Sequence, residues 1–329
     1  MLIKKESFRS YIVDTLGKTF QTPLFIPAIS SIKANWTILE YLNLLENVGY
    51  PAFLVSAYDY CRLNKNNRRN FEGILSEYSK KQTLFFLDNG NYEAYWYKDQ
   101  KWTLNGLKTA LDATCPDFCF SFDVFWERGM KVEKHIKETV TSIAKTAGVQ
   151  RTGSTIALLH ANPDLFPRMI QKIVDSINPE IVAIPERELG ASVFERAQTI
   201  KNIRSRLDKT DKPILLHILG TGNPRSILIY TLCGADMYDA LDWSSSFVDP
   251  KSGLLYHFSQ KDLLNCGCKA CRMQGVPYDY QVMAHNLIFY QAYLDKIRNS
   301  LESGRVDAIL KEYFSRECIS EIKEVGGFE

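Results

Sequence analysis

Eight short apolar runs, at 24–29, 52–56, 83–87, 118–122, 155–160, 181–184, 213–219 and 235–238, constrain this chain more than any other feature. Between most of them lie longer stretches whose apolar residues recur at three and four, at 35–45, 104–113, 131–147, 165–177, 191–207 and 224–233. A short run that is apolar throughout suits a strand covered on both faces, and the intervening period is that of an amphipathic helix. Strand alternating with helix gives parallel βαβ units. Eight such units before residue 240 fit a (β/α)8 barrel, typically about 250 residues, better than an open doubly wound sheet. A dinucleotide-binding sheet would also show G-x-G-x-x-G after its first strand, whereas Ile26-Pro-Ala-Ile-Ser-Ser31 stands there. The G-x-G at Gly220-Thr-Gly222 follows the seventh run and reads either as a phosphate contact or as a tight turn into a helix near Pro224. The expected fold is α/β: a TIM barrel over 1–255, an appended metal-binding subdomain over 256–294, and a helical ending over 295–329 packed on the barrel.

The appended segment carries Cys266, Cys268, Cys271 and His285. A C-x-C-x-x-C run brings three thiolates around one ion with Zn–S bonds of about 2.3 Å, and a histidine on the following helical stretch closes a tetrahedron. Zinc is the expected cofactor, and with no open position it is structural. The alternative is a set of reduced, unliganded thiols.

Cys61, Cys115, Cys119, Cys233 and Cys318 follow no disulfide-framework spacing, which fits a reducing compartment. The first residues, MLIKKESFRSYIV, have no apolar signal core, and no run approaches the ~18 apolar residues of a membrane span, so a cytoplasmic protein without membrane partners is expected. With a net charge of +2, a grip on a polyanion must come from local patches. The run from Asn64 to Arg69 is one candidate, read equally as a solvated loop. No internal repeat or low-complexity tract intervenes.

In such a barrel, functional residues follow the C-terminal ends of the strands. The third run leads into Asp88, the fourth into Asp123, the fifth ends at His160, and the sixth runs into Glu186-Arg-Glu188. The seventh leads into Leu219 and Gly220, the eighth into Asp236-Met-Tyr-Asp239. Acids crowded in one mouth repel one another and raise at least one pKa, so that one can deliver a proton while another stays ionised. This suits glycosyl transfer, and Asp88 with Asp239 is the expected catalytic pair. Each aspartate taken singly could instead cap a following helix. Tyr92 could stack on a planar base or lie in the core, and Asp123 could accept from the donors of a guanine-like edge.

These residues resemble, in order, the motifs of the queuine and archaeosine tRNA-guanine transglycosylases and their relatives that place 7-deazaguanines in DNA. Gln21-Thr-Pro-Leu-Phe-Ile-Pro27 is similar to the family's T-P-x-F-x-P, and Leu87-Asp-Asn-Gly-Asn-Tyr-Glu93 to L-D-S-G-G-[FY]-Q. Ser121-Phe-Asp123 resembles the F-D segment, Leu219-Gly-Thr-Gly-Asn-Pro224 is similar to M-G-x-G-x-P, and Gly234-Ala-Asp-Met-Tyr-Asp239 to G-x-D-M-[FY]-D. The C-x-C-x-x-C and His285-Asn-Leu ending resembles the family's zinc subdomain. The resemblance implies that Asp239 attacks C1′ of the nucleoside, that Asp88 handles protons, that Tyr92 and Leu219 sandwich the heterocycle, and that Asp123 bonds its guanine-like edge. The target nucleotide would have to leave its stack to reach a barrel mouth.

The departures point to the substrate. Where the tRNA enzymes carry a P-T-R-containing stretch, this chain reads Ala240-Leu-Asp-Trp-Ser-Ser-Ser246, and His160 stands in place of a base-reading Gln. Pro185-Glu-Arg-Glu-Leu-Gly190 replaces the G-G-L-[AS]-V-G loop; Glu186 could bond a donor on the 7-substituent or pair with Arg187. The leading expectation is base exchange on DNA with a 7-deazaguanine such as 7-cyano-7-deazaguanine, with accessory proteins or a homodimer as further possible partners. The alternatives are the same exchange on tRNA, a glycosidic-bond hydrolase in deazaguanine salvage, and a non-catalytic nucleic-acid-binding subunit.

Overall fold

Period-two alternation inside the apolar runs sorts their side chains into two cores. A computed structural model, describing residues 1–32, 34–127 and 129–328, closes eight parallel strands into a barrel. They are β4 (Leu24–Ile29), β5 (Ala52–Ser56), β6 (Leu84–Asp88), β7 (Phe118–Phe120), β8 (Ser154–Leu158), β9 (Ile181–Pro185), β10 (Leu215–Leu219) and β11 (Met237–Ala240). Around the barrel they follow chain order, and β11 pairs with β4 to close it. Leu24, Ile26, Leu84, Phe86, Phe118, Phe120, Leu215 and Met237 fill the interior, while their neighbours Phe25, Phe53, Phe85 and Leu216 face the helices outside. Burial on both faces explains why the strands read as uninterrupted apolar runs.

The helices fall within a few residues of the expected stretches, for example Leu104–Thr114, Val132–Val149 and Val193–Leu207. Capping boxes at Thr37 and Ser192 satisfy the first amides of two of them. The basic run is not a loop: Asn64 caps the helix Lys65–Lys80, which it opens.

The first 21 residues form an antiparallel sheet, β1 (Leu2–Ser7), β2 (Ser10–Thr15) and β3 (Lys18–Gln21), that the apolar runs did not announce. Its Tyr11, Val13 and Phe20 join the barrel interior, with Phe20 set edge-on to Phe118 at 6.1 Å, and so close the barrel's N-terminal end. At that end also sits Asp236, expected at the rim with Asp239. It precedes β11, is fully buried, accepts from the Leu216 amide at 2.7 Å, and faces Arg204 at 3.5 Å.

Beyond the barrel, β12 (Ser246–Val248) and β13 (Leu255–His257) form a hairpin, and a 25-residue helix spans Tyr278–Glu302. The boundary expected at 294 falls inside this helix, so the metal-binding segment and the ending share one element. The helix is tied to the barrel by Phe25 stacked on Tyr290 at 4.0 Å and by Tyr293 Oη donating to the Pro224 carbonyl at 2.8 Å. Among the described residues, no helix is long and apolar enough to cross a membrane.

Candidate functional site at the barrel mouth and the Cys3His cluster

Strand parity points both expected catalytic aspartates inward. Asp88 ends β6 two residues beyond Phe86, and Asp239 lies two beyond Met237 on β11, so each continues an interior-facing row at the C-terminal end. Asp88 accepts from the Gly90 amide at 3.0 Å. Burial, then the charges of Glu93, Asp123 and Asp239, raise its pKa well above the ordinary carboxylate value against that one stabilising bond. Gly90 has φ +86°, and a Cβ there would lie 2.7 Å from the Tyr58 amide nitrogen. Only glycine lets the chain turn this tightly from strand into the helix Asn91–Trp96.

Asp239 is held by a histidine that sequence reasoning missed. His217 Nε2–H donates to Asp239 Oδ1 at 2.7 Å, and His217, flanked by Leu216 and Ile218 in mid-strand, is wholly buried, its ring edge-on to Phe120. Its Nδ1 has no partner among the described residues, so the ring spends its one bond on the aspartate. The available signal was a lone polar residue inside LLHIL, two positions before Leu219 and hence on the same inward face.

A second group surrounds Asp123. His160 bridges Asp123 Oδ1 at 3.0 Å and Glu188 Oε1 at 2.7 Å, and Asn89 Nδ2 donates to the same Oδ1 at 3.2 Å. Burial depresses the His160 pKa, but the two carboxylates together outweigh it and hold the value at about 9, so the imidazolium persists at neutral pH. Both ring nitrogens are taken inside the protein, so His160 positions Asp123 and has no free atom with which to read a base itself. Asp123 Oδ2 has no protein donor among the described residues. Glu188, the other half of the bridge, also accepts from the Ala161 amide at 3.1 Å.

Beneath the mouth, Glu93 is buried and accepts from Ser30 Oγ at 2.5 Å and Ser56 Oγ at 2.6 Å, with its pKa raised by burial and by Asp59. Asp59, its own pKa raised by burial, accepts from the Ser31 amide at 2.7 Å. Asp59 did not stand out in the sequence, because it lies inside a helix, where an acid is ordinary, and Glu93 appeared there only as the last residue of a motif.

Glu186 does not pair with Arg187. It takes Arg196 at 3.0 Å and the Tyr230 hydroxyl at 2.9 Å. Gly220 adopts φ +76° with no atom within 4 Å of a would-be Cβ, so backbone and open space adjoin the half-buried Leu219. Tyr92 is exposed on the helix Asn91–Trp96, its ring edge-on to Trp96 at 6.3 Å. Two surface grooves lie elsewhere, along the helix Tyr278–Glu302 and beside Phe8, and hold none of these residues.

The four expected metal donors do converge. The three thiol sulfurs lie 3.5, 3.3 and 3.5 Å from His285 Nδ1, and all four ligand atoms fall within 4.8 Å of one another. A tetrahedral ion with bonds of about 2.3 Å to sulfur and about 2.0 Å to nitrogen separates such donors by about 3.5 Å. His285 Nε2–H donates to the Val248 carbonyl at 2.8 Å, which fixes the tautomer that leaves Nδ1 for a metal. The cluster could therefore hold one metal ion. Asn286, the next residue, binds the Trp243 carbonyl and the Val248 amide and joins the cluster to the loop after β11.

Compared with known proteins, the chain matches no family model, and no curated protein sequence matches it.

Proposed function

We propose that this chain is a base-exchange transglycosylase that replaces guanine in a polynucleotide, DNA rather than tRNA, with a 7-deazaguanine such as 7-cyano-7-deazaguanine. The carrying observation is the pair of inward aspartates at one mouth: Asp239 is bonded to His217, and Asp88 is driven toward its protonated form by burial and by three neighbouring acids. Such a pair offers a nucleophile and a carboxyl biased toward carrying a proton.

In the first half-reaction, Asp239 Oδ2 forms a bond to C1′ as the bond from C1′ to the base nitrogen breaks. The bond's electron pair leaves with guanine, and Asp88 donates the proton that neutralises it. In the second, Asp88 removes a proton from the incoming deazaguanine, whose nitrogen attacks C1′ and releases Asp239. One pocket thus serves the leaving and entering bases in turn. Asp123 Oδ2 is the acceptor for the donors of the guanine-like edge, and Tyr92 and Leu219 flank the ring faces, with Gly220 leaving open space beside Leu219. The Cys3His cluster would hold a structural zinc, remote from these steps.

Incubation with labelled guanine and either single-stranded DNA or tRNA tests this reading. Label enters DNA with the unaltered chain and does not with Asp239→Asn. Entry into tRNA alone reassigns the polymer, release of free base without uptake makes the protein a hydrolase, and inertness toward both polymers removes the reading.

A further inference from the structure

The mouth is acidic and repels the phosphates that flank an extruded nucleotide, so something at the rim must hold the strand while that nucleotide enters. We infer that the helix Asn91–Trp96 and its flanks form a docking surface for single-stranded DNA on either side of the extruded nucleotide. This rests on the reading of the mouth given above.

Tyr95 is 75% exposed and Trp96 50%, with Tyr92 also open to solvent, so three aromatic side chains stand together just beyond Asp88, and the exposed Tyr97 beside them is stacked on Tyr58 at 5.8 Å. Tyr95 meets Trp96 edge-on at 5.6 Å, an arrangement that leaves ring faces outward. Phe125, exposed on the loop after β7, leans on His160 at 4.7 Å and adds an aromatic ring beside the group around Asp123. A soluble chain seldom leaves such a contiguous aromatic group uncovered.

Charge chooses the occupant. Lys98 and Lys101 are exposed beside these rings and join no ion pair among the described residues, and the Arg62 guanidinium lies 5.0 Å over Tyr97 and 5.4 Å over Tyr58. Aromatic faces interleaved with cations fit stacked bases and their phosphates, as on other single-strand-binding surfaces. Ring faces and point charges read bases and phosphates and ask for no 2′-hydroxyl, so a deoxy strand satisfies the surface in full.

A short fluorescein-labelled oligothymidylate tests this by anisotropy, and because it contains no guanine its binding is independent of exchange. The unaltered protein binds it with a marked salt dependence and with quenching of tryptophan fluorescence. Tyr95→Ala with Trp96→Ala weakens binding at least about tenfold with an unchanged melting temperature. Lys98→Ala with Lys101→Ala flattens the salt slope. Equal affinity of the aromatic variant and the parent overturns the inference, as does tighter binding of the matching oligouridylate. Guanine exchange with normal oligothymidylate affinity in the Tyr95, Trp96 variant would overturn the surface alone. Rim-dependent binding by a protein that exchanges no base would overturn the transglycosylase reading alone.

Discussion

The Cys3His cluster and the barrel mouth each gather a handful of ionisable side chains, and they dispose of the charge in opposite ways. In the cluster, every donor points at one centre, the histidine tautomer is fixed by Val248, and an ion would leave no position open. In the mouth, Asp88, Asp123 and Asp239 stand above the buried Glu93, and the two histidines beside them are already committed, His217 to Asp239 and His160 to Asp123 and Glu188. A saturated set stabilises a fold. An unsaturated set raises the pKa of a buried carboxyl and leaves an oxygen free, which costs stability.

The largest expected effect lies in the cluster. Cys268→Ser, or chelation, should lower stability by about 5 kcal/mol or more, the scale on which structural metals support folding. Denaturant titration checks this, and a chelated protein that keeps its stability while losing turnover would make the metal part of the chemistry. The helix bearing His285 also carries Tyr290, whose hydroxyl donates to the Gly222 carbonyl at 2.5 Å, so the loop beside Gly220 should loosen with metal loss.

In the mouth, Asp88→Asn should slow exchange roughly 10²–10⁴-fold, the usual worth of a positioned acid and base, with the melting temperature kept or raised because the cost of burying a carboxyl beside three other acids is removed. Rate and melting curves from one preparation distinguish this from damage to the barrel.

A pH effect follows from His160. Its folded pKa of about 9 exceeds the unfolded value of 6.5, so its stabilisation is complete below about pH 6.5 and is lost as pH rises through about 9. The loss amounts to up to about 3 kcal/mol. Unfolding of the parent and of His160→Gln across that window should show the slope only in the parent; the same slope in both would place the titration elsewhere.

The smallest effect expected is that of His217→Phe, which removes the one bond to Asp239 Oδ1 and keeps a buried ring. The maximum rate should fall about tenfold, by analogy with loss of a single orienting hydrogen bond of about 1.5 kcal/mol, with little change in KM. A change in KM alone would mean that His217 serves binding.

How much of this was legible depended on periodicity. The barrel strands announced themselves because burial on both faces erases polar interruptions, and parity then placed Asp88 and Asp239 inward. The sheet over Leu2–Gln21 stayed hidden because its outer face alternates Lys, Glu and Asp with the buried Tyr11, Val13 and Phe20, leaving no apolar run. The bonds from His217 to Asp239 and from His160 to Glu188 were illegible for another reason: each joins neighbouring strands of the barrel or the residues that follow them, and such pairings are set by strand order, not by spacing in the chain. Asp236 shows the converse error, since three residues along β11 carry it from the rim to the floor.

The most direct test of the central claim, that Asp239 is the nucleophile, is to trap the enzyme on a guanine-containing single strand by denaturing in mid-turnover and to map the attachment by mass spectrometry. The account predicts a covalent protein–polynucleotide adduct on the peptide containing Asp239, absent in Asp239→Asn. An adduct on any other residue, or full exchange by Asp239→Asn, would contradict it.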